Sequence, residues 1–427
     1  MSFNGWRDAK LDDFIDILSG YAFKSKEFID TGVPVIKIKN IVPPNIDFLD
    51  VQYVTEDMYK GKIRYALEYN DILISLTGSN VNQINSAVGK IGRVRCADTK
   101  LLLNQRVGKV YVKDENKNSN DFLYYYLIQE HIRYDLASSA GGSANQANIN
   151  PKNIKDLKIK LPPIEEQKDI AKILSDLDNK IEVNTKINKR LEEMAQAIFK
   201  QWFVDFEFPN EEENPYKSSG GKMVESELGM IPKGWEVKNL GSIGNIVTGK
   251  TPSAKDEDGF GNECNFITPR DIGNSTVILE TERLLSSVGA EKLKKNKIYK
   301  NSIGVSCIGS NLGEVYITGE DSFTNQQINS IILDDKALYP YVYIYLKNMK
   351  LDFLNMSSGS AVPIINKTSF SGINILIPQE KILYTFIEVI TGNFEIIKCN
   401  IKETEKLKKL RDTLLPKLMS GEIRVSI

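Results

Sequence analysis

Histidine is nearly missing from this sequence. The 427-residue chain has one, His131, and only four cysteines, Cys96, Cys264, Cys307 and Cys399. With one imidazole, any mechanism that needs two histidines, or a Ser-His-Asp set elsewhere in the chain, has no base. The segment around it, FLYYYLIQEHIRYDL, reads as an aromatic amphipathic helix, which gives His131 a structural or surface role. The cysteines lie far apart with no CxxC pair, which argues against a disulfide framework and a zinc site. No apolar run reaches the about 18 residues that a membrane span needs. The N-terminal MSFNGWRDAKLDDF is polar and acidic where a signal peptide needs an apolar stretch, so the expected compartment is the cytoplasm. Net charge is lacking too: 55 Lys+Arg against 56 Asp+Glu leaves −1. Phosphate binding needs local positive charge, so a nucleic-acid reading requires basic residues gathered on one face and offset elsewhere.

What is present is a duplication. Trp6, Leu11 and Gly20 recur as Trp235, Leu240 and Gly249, each 229 positions on (235 − 6). NDILISLTGS from Asn70 matches NSIGVSCIGS from Asn301, Asn104-Gln105 matches Asn325-Gln326, and Tyr126-Leu127 matches Tyr345-Leu346. IKLPP then answers ILIPQ. Order is kept while the offset drifts by a few residues, as loop insertions produce, so the repeat is a unit of roughly 200 residues rather than a solenoid.

Each copy begins with short β-like runs (VPVIKI, DILISL, RVGKVYV; then NFITP, SIGVSCI, NSIIL), one aromatic helix and many turns, which predicts a mixed α/β domain. Each ends in a long run almost free of Pro and Gly, after Pro163 and after Pro378. Roughly 40 helical residues make a rod of about 60 Å. Ile170, Leu174, Leu177, Ile181, Asn184, Asn188, Leu191 and Ile198 form a heptad-like seam in the first. Phe386, Ile390, Asn393, Ile397, Asn400, Thr404, Leu407 and Leu414 occupy matching positions in the second. Such stripes pack helix on helix, and Asn184 and Asn400 either fix register there or face water. The expected fold is α+β: domains over 1–160 and 233–377, long helices over 161–206 and 378–427, and a linker over 207–232. The helices are expected to pair as an antiparallel coiled coil that separates the domains.

One motif pulls elsewhere. GNIVTGKTP, from Gly244, matches the phosphate-binding pattern G-x-x-x-x-G-K-[ST], and INSIILDD looks like a magnesium-holding strand. The repeat decides against both. Gly249-Lys250-Thr251 aligns with Gly20-Tyr21-Ala22, so the copies share one turn glycine and no phosphate chemistry. The following PSAKDEDGFGNE has no helical periodicity and puts Asp256, Glu257 and Asp258 where phosphate charge would sit. INSIILDD is matched by RVGKVYVKD as a buried strand. No glycine-rich dinucleotide fingerprint, HExxH or base-flipping Asn-Pro-Pro-aromatic tetrapeptide occurs.

Two similar domains on a fixed rod suit a ligand with two spaced sites, such as double-stranded DNA. LPPIEEQKDIAKILSDLDNKIE, AIFKQWFVDFE, ESELGMIPKGWEVKNLGSI, LSGYAFKSKEF, TGKTPS and LLPKLMSGEIRV run the length of the chain. On these blocks it resembles the specificity (S) subunit of type I DNA restriction–modification systems; IEEQ is replaced by QEKI (379–382) in the second copy. The resemblance implies two target-recognition domains, each reading half of a split DNA sequence. It implies helices that set the spacer and dock two modification (methyltransferase) subunits, with restriction subunits joining them. S-adenosylmethionine then belongs to the modification subunit, ATP and magnesium to the restriction subunit, and this chain catalyses nothing. A two-headed protein-binding scaffold keeps the same architecture without DNA.

Base edges are read by Arg, Lys, Asn, Gln, Ser and Thr from exposed loops. In the first copy the candidates are Ser79, Asn80, Asn82, Gln83, Lys90, Arg93, Arg95, Asn104, Gln105, Arg106, Asn145, Gln146 and Asn148. In the second they are Lys250, Thr251, Lys255, Arg270, Ser310, Asn311, Asn325, Gln326, Gln327 and Ser360. Because Asn104-Gln105 and Asn325-Gln326 recur, they point to structure or phosphate binding rather than discrimination. No metal site is expected.

Overall fold

The computed structural model describes residues 5–86, 88–96, 99–143, 146–253, 258–273, 275–356 and 364–425. The chain divides into two compact units, one of Met1–Lys180 with Leu407–Ile427, the other of Ile181–Lys406.

In the first unit the runs VPVIKI, DILISL and RVGKVYV each hold a strand, as read. Ile15–Ser19, Val107–Val112, Ile72–Ser75, Ile91–Arg93, Asn45–Ile46 and Ile41–Val42 lie side by side in one sheet. A second sheet orders Gln52–Val54, Val33–Ile36, Leu101–Leu103 and Ala66–Leu67. Most neighbours are antiparallel, but Leu101–Leu103 runs parallel to Val33–Ile36, and Ile91–Arg93 runs parallel to Asn45–Ile46. Ser119 caps the helix Asn120–Leu127 by accepting from the Phe122 amide at 3.2 Å. All of Phe122 to Leu127 are buried, so beyond its first two residues this helix is embedded in the unit's core.

The second unit repeats that plan with other residues. Gly244–Thr248, Ile328–Leu333, Ile303–Ser306, Val315–Thr318 and Val277–Ile278 form the large sheet. Phe260–Gly261, Leu284–Leu285, Cys264–Ile267 and Ser322–Thr324 form the smaller one. The parallel neighbours recur at the same places, Cys264–Ile267 with Ser322–Thr324 and Val277–Ile278 with Val315–Thr318. Even single bonds repeat: Tyr126 Oη donates to the Lys158 carbonyl at 2.7 Å, and Tyr345 Oη to the Asn374 carbonyl at 3.1 Å.

The long helices span Ile164–Phe199, closing in a π turn at Lys200–Val204, and Glu380–Ser420. Pro416 sits inside the last turns of the second. The stretch read as a linker is more than spacing. Phe208 is buried, its ring stacked on Trp235 at 5.0 Å and on Tyr216 at 4.5 Å. Met223–Ser226 and Gly229–Pro232 form a hairpin. The rings are apolar enough to bury despite the polar composition around them.

Candidate nucleic-acid interface

The recurring glycine and the recurring Asn-Gln pair turn out to be one device. Gly20 crosses the Asn104 turn so closely that a Cβ would come within 3.0 Å of the Leu103 and Asn104 backbone, and Gly249 crosses Asn325 in the same way. Neither glycine needs a positive φ; close backbone approach alone requires it. The Gly20 amide donates to Val107 and the Tyr21 amide to Leu103, at 3.2 and 2.9 Å. In the second unit Gly249 donates to Ile328 and Lys250 to Thr324, at 3.0 and 2.8 Å. The Asn104 amide reaches the Ile36 carbonyl and that of Asn325 reaches Ile267, both at 3.1 Å. This disposes of the P-loop: Gly244–Thr248 is a sheet strand, and the Lys250 amide that would cradle a phosphate is spent on Thr324.

From the crossed turns the hydrogen bonding continues outward. The Leu76 amide donates to the Arg106 carbonyl at 3.0 Å and that of Cys307 to Gln327 at 2.7 Å. Leu76 leads into Thr77–Gly78, which with Gln146–Asn148 and Gly141–Ser143 makes a small three-stranded sheet. Thr77 Oγ1 donates to Asn148 Oδ1 at 2.7 Å. Cys307 leads instead into the turn Gly309–Asn311, where Asn311 Nδ2 holds the Pro269 carbonyl at 3.1 Å beside Arg270. In the first unit the bond from Leu76 to Arg106 therefore joins the turn of Asn104, Gln105 and Arg106 to the segment that pairs with Asn148 and runs on through Ser79, Asn80, Asn82 and Gln83. In the second the bond from Cys307 to Gln327 joins the turn of Asn325, Gln326 and Gln327 to the segment that runs on to Ser310 and Asn311, and Thr251, next to Lys250, bonds to Gln326. Gln105, Arg106, Asn148, Lys250, Arg270, Ser310 and Gln326 are exposed. Asn145, Lys255, Ser360 and the Gln146 side chain lie outside the described residues.

Arg93, Arg95 and Lys90 fall elsewhere, and Asn325 is turned inward within its own turn. Arg93 is a correction: it is 2% exposed, ion-paired to Asp121, with its guanidinium 4.1 Å from the Tyr124 ring centre. Its strand is interior to the large sheet, so the side chain is delivered to the aromatic helix and not to a ligand. Asn325 is 9% exposed, and its amide is occupied within its own turn, donating to Gln327 Oε1 at 2.9 Å and accepting from the Gln327 amide at 3.1 Å. That supports the structural reading of the repeated asparagine. Arg95 is half-buried against Asn70 Oδ1 at 3.1 Å. Lys90 lines a cavity of about 260 Å³ with Arg133, Asp178 and Arg411. Burial, with the Arg133 guanidinium near, pulls the Lys90 ammonium below the usual lysine range. His131 is exposed on Glu130–Ser138.

Every seam residue is buried or half-buried. Within the second unit Asn184 Nδ2 donates to Glu403 Oε2 at 2.8 Å, Asn400 Nδ2 to Asn188 Oδ1 at 2.9 Å, and Asn393 Nδ2 to the Leu191 carbonyl at 3.2 Å. As one number rises the other falls, so the contacting helices run antiparallel. Both asparagines face the partner helix rather than water.

Two carboxylates that the sequence pattern does not single out anchor the helices to their domains. Glu166 is buried, accepts from Trp6 Nε1 at 2.8 Å and takes a two-pronged contact from Arg424 at 2.6 and 2.9 Å. Glu192 accepts from Thr276 Oγ1 at 2.6 Å and Tyr343 Oη at 2.8 Å, and pairs with Lys347. Burial alone would raise the Glu192 carboxyl; Lys347 and those hydrogen bonds outweigh it and hold the group below its usual range. The signal available was an acid inside an otherwise apolar helix face. Among the described residues no cluster of His, Cys, Asp or Glu could hold a metal ion, and no helix is long and apolar enough to cross a membrane.

A family model, type I restriction modification DNA specificity domain, matches residues 4–193 and 232–406. The type I restriction enzyme HindI specificity subunit of Haemophilus influenzae is 33% identical over 480 residues, covering 98% of this chain and 99% of that protein. The MjaIX specificity subunit of Methanocaldococcus jannaschii is 29% identical over 430 residues, covering 98% and 94%. Among solved structures, the type I restriction-modification S subunit from M. genitalium superposes with a TM-score of 0.57 at 16% identity, over 97% of this chain and 96% of its own.

Proposed function

The chain belongs to the type I restriction–modification DNA specificity family, and from that premise we propose that each of its globular units reads one half of a bipartite, asymmetric DNA target. The observation that carries this reading is the pair of crossed turns, one per unit, alike in backbone and in the exposed Gln105 and Gln326 but different in what stands beside them: Arg106 is exposed in one and Lys250 in the other. A shared mount with diverged tips suits two different half-sites. The long helices set the gap between half-sites and dock two modification subunits, which restriction subunits join. Exposed Val183, Ile187, Met194, Val389, Ile396 and Leu410 give those helices apolar surface for the modification subunits. The chain takes no cofactor of its own. S-adenosylmethionine binds the modification subunit, ATP and magnesium the restriction subunit, and the complex works in the cytoplasm.

Near-neutral net charge leaves part of the phosphate contact to those partners. The test is salt dependence. Affinity of the chain with its modification subunits for a mixed-sequence duplex should fall on the order of a thousandfold between about 50 and 200 mM salt. Assembly with the partners but no salt-sensitive DNA binding would favour a protein-binding scaffold instead.

A further inference from the structure

We infer that the glycine–asparagine crossing is the mount that positions each reading tip, and that Arg106, on the mount of the first unit, reads a guanine in that unit's half-site. This rests on the proposed function and adds to it which residues position, which one discriminates, and for what base.

The two mounts share their hydrogen bonds while their side chains differ. Gly, Asn and the amides around them are spent on holding the crossing in both units. Val107 donates back to the Asn104 carbonyl at 2.9 Å, and Ile328 to that of Asn325 at 3.2 Å, closing each turn. The glycines carry no side chain, both ends of the Asn325 side-chain amide are occupied by Gln327, and Asn104 Oδ1 accepts from the Arg106 amide, which makes Gly20, Gly249, Asn104 and Asn325 positioning residues. Gln105 is tied by its backbone, its amide donating to the Tyr21 carbonyl at 2.9 Å. Gln326 is held through its side chain, because Thr251 Oγ1 donates to its Oε1 at 2.6 Å, which leaves the amide nitrogen as the end able to donate.

Arg106 is different. Its backbone is fixed on both sides, the carbonyl by Leu76 and the amide by Asn104 Oδ1 at 3.5 Å, while the side chain is exposed. A guanidinium on a fixed stem offers two parallel donors, the match for O6 and N7 of guanine. The residue at the same place in the second unit, Gln327, has its Oε1 engaged by Asn325 and is half-buried, so the second unit has no cationic fork at this place on its mount. The unit with Arg106 should therefore demand a guanine that the other does not demand at the corresponding step.

The experiment is to express Arg106→Gln, Gly20→Ala and Gly249→Ala full-length chains with the modification subunits and sequence host DNA for methylated bases. Arg106→Gln should relax or switch one guanine position of one half-site, with methylation of the original sites down on the order of tenfold. The other half-site and the gap should stay as they were. Gly20→Ala should blur that same half-site, and Gly249→Ala the opposite one; a merely structural role would lower methylation everywhere and leave the motif intact. An active complex whose motif is unchanged by Arg106→Gln overturns the inference even if the glycine variants fail to accumulate. If the unmodified complex methylates without a two-part motif, it is the proposed function that fails.

Discussion

Arg93 and Arg106 are both arginines at the edge of short strands, and nothing local in IGRVR or NQRVGK tells them apart. Their difference is tertiary: the large sheet brings Arg93 under Tyr124 and beside Asp121, whereas Arg106 stays exposed beyond the crossed turn. The same holds for Glu192, one acid among many on its helix until Thr276, Tyr343 and Lys347 converge on it. Removing its charge leaves Lys347, which is partly solvated, without its anion. Glu192→Gln should cost about 2 kcal/mol at neutral pH. The folded carboxyl lies below its ordinary 4.5, so its contribution is full above that value and lost as pH falls through the lower folded value. Denaturant unfolding of the full chain should thus show a gap between the two proteins at pH 7 that narrows on acidification. A gap that persisted unchanged well below pH 4 would assign the effect to packing.

At the scale of elements, the helix seam was legible because threes and fours of apolar residues survive any tertiary context. What the period could not settle was where Asn184 points. It lies 0% exposed in the seam, with Oδ1 lacking a hydrogen-bond partner and Nδ2 donating to Glu403. A buried polar seam residue lowers stability and narrows the ways two helices can align. Asn184→Leu should raise stability by about 1 kcal/mol while permitting shifted helix registers, seen as a higher melting temperature with broadened NMR resonances or cross-link positions along Asn188–Asn400. A lower melting temperature would mean that the hydrogen bond to Glu403 outweighs the burial cost. The segment 207–232 was the least legible element, because Pro, Gly and acid dominate its composition while Phe208 and Ile231 decide its structure.

Over the whole chain the duplication was the most legible feature. Alignment of the two copies is enough to dismiss the phosphate-loop match, and the crossed turns supply the physical reason: Gly249 is required by the Asn325 turn, as Gly20 is by Asn104. Bonds as separate as Tyr126 to Lys158 and Tyr345 to Asn374 repeat because the two units share most of one plan. The residues beside the crossing differ in part, with Arg106 exposed in one unit where the other has the half-buried Gln327. Two readers in one chain would leave their mark on DNA. The decisive measurement is to express the full chain with its modification subunits in a host lacking other such systems and map every methylated base. One asymmetric motif in two parts, separated by a gap of fixed length, is the expected result. A single uninterrupted motif, or methylation by the assembled complex with no motif at all, would contradict it.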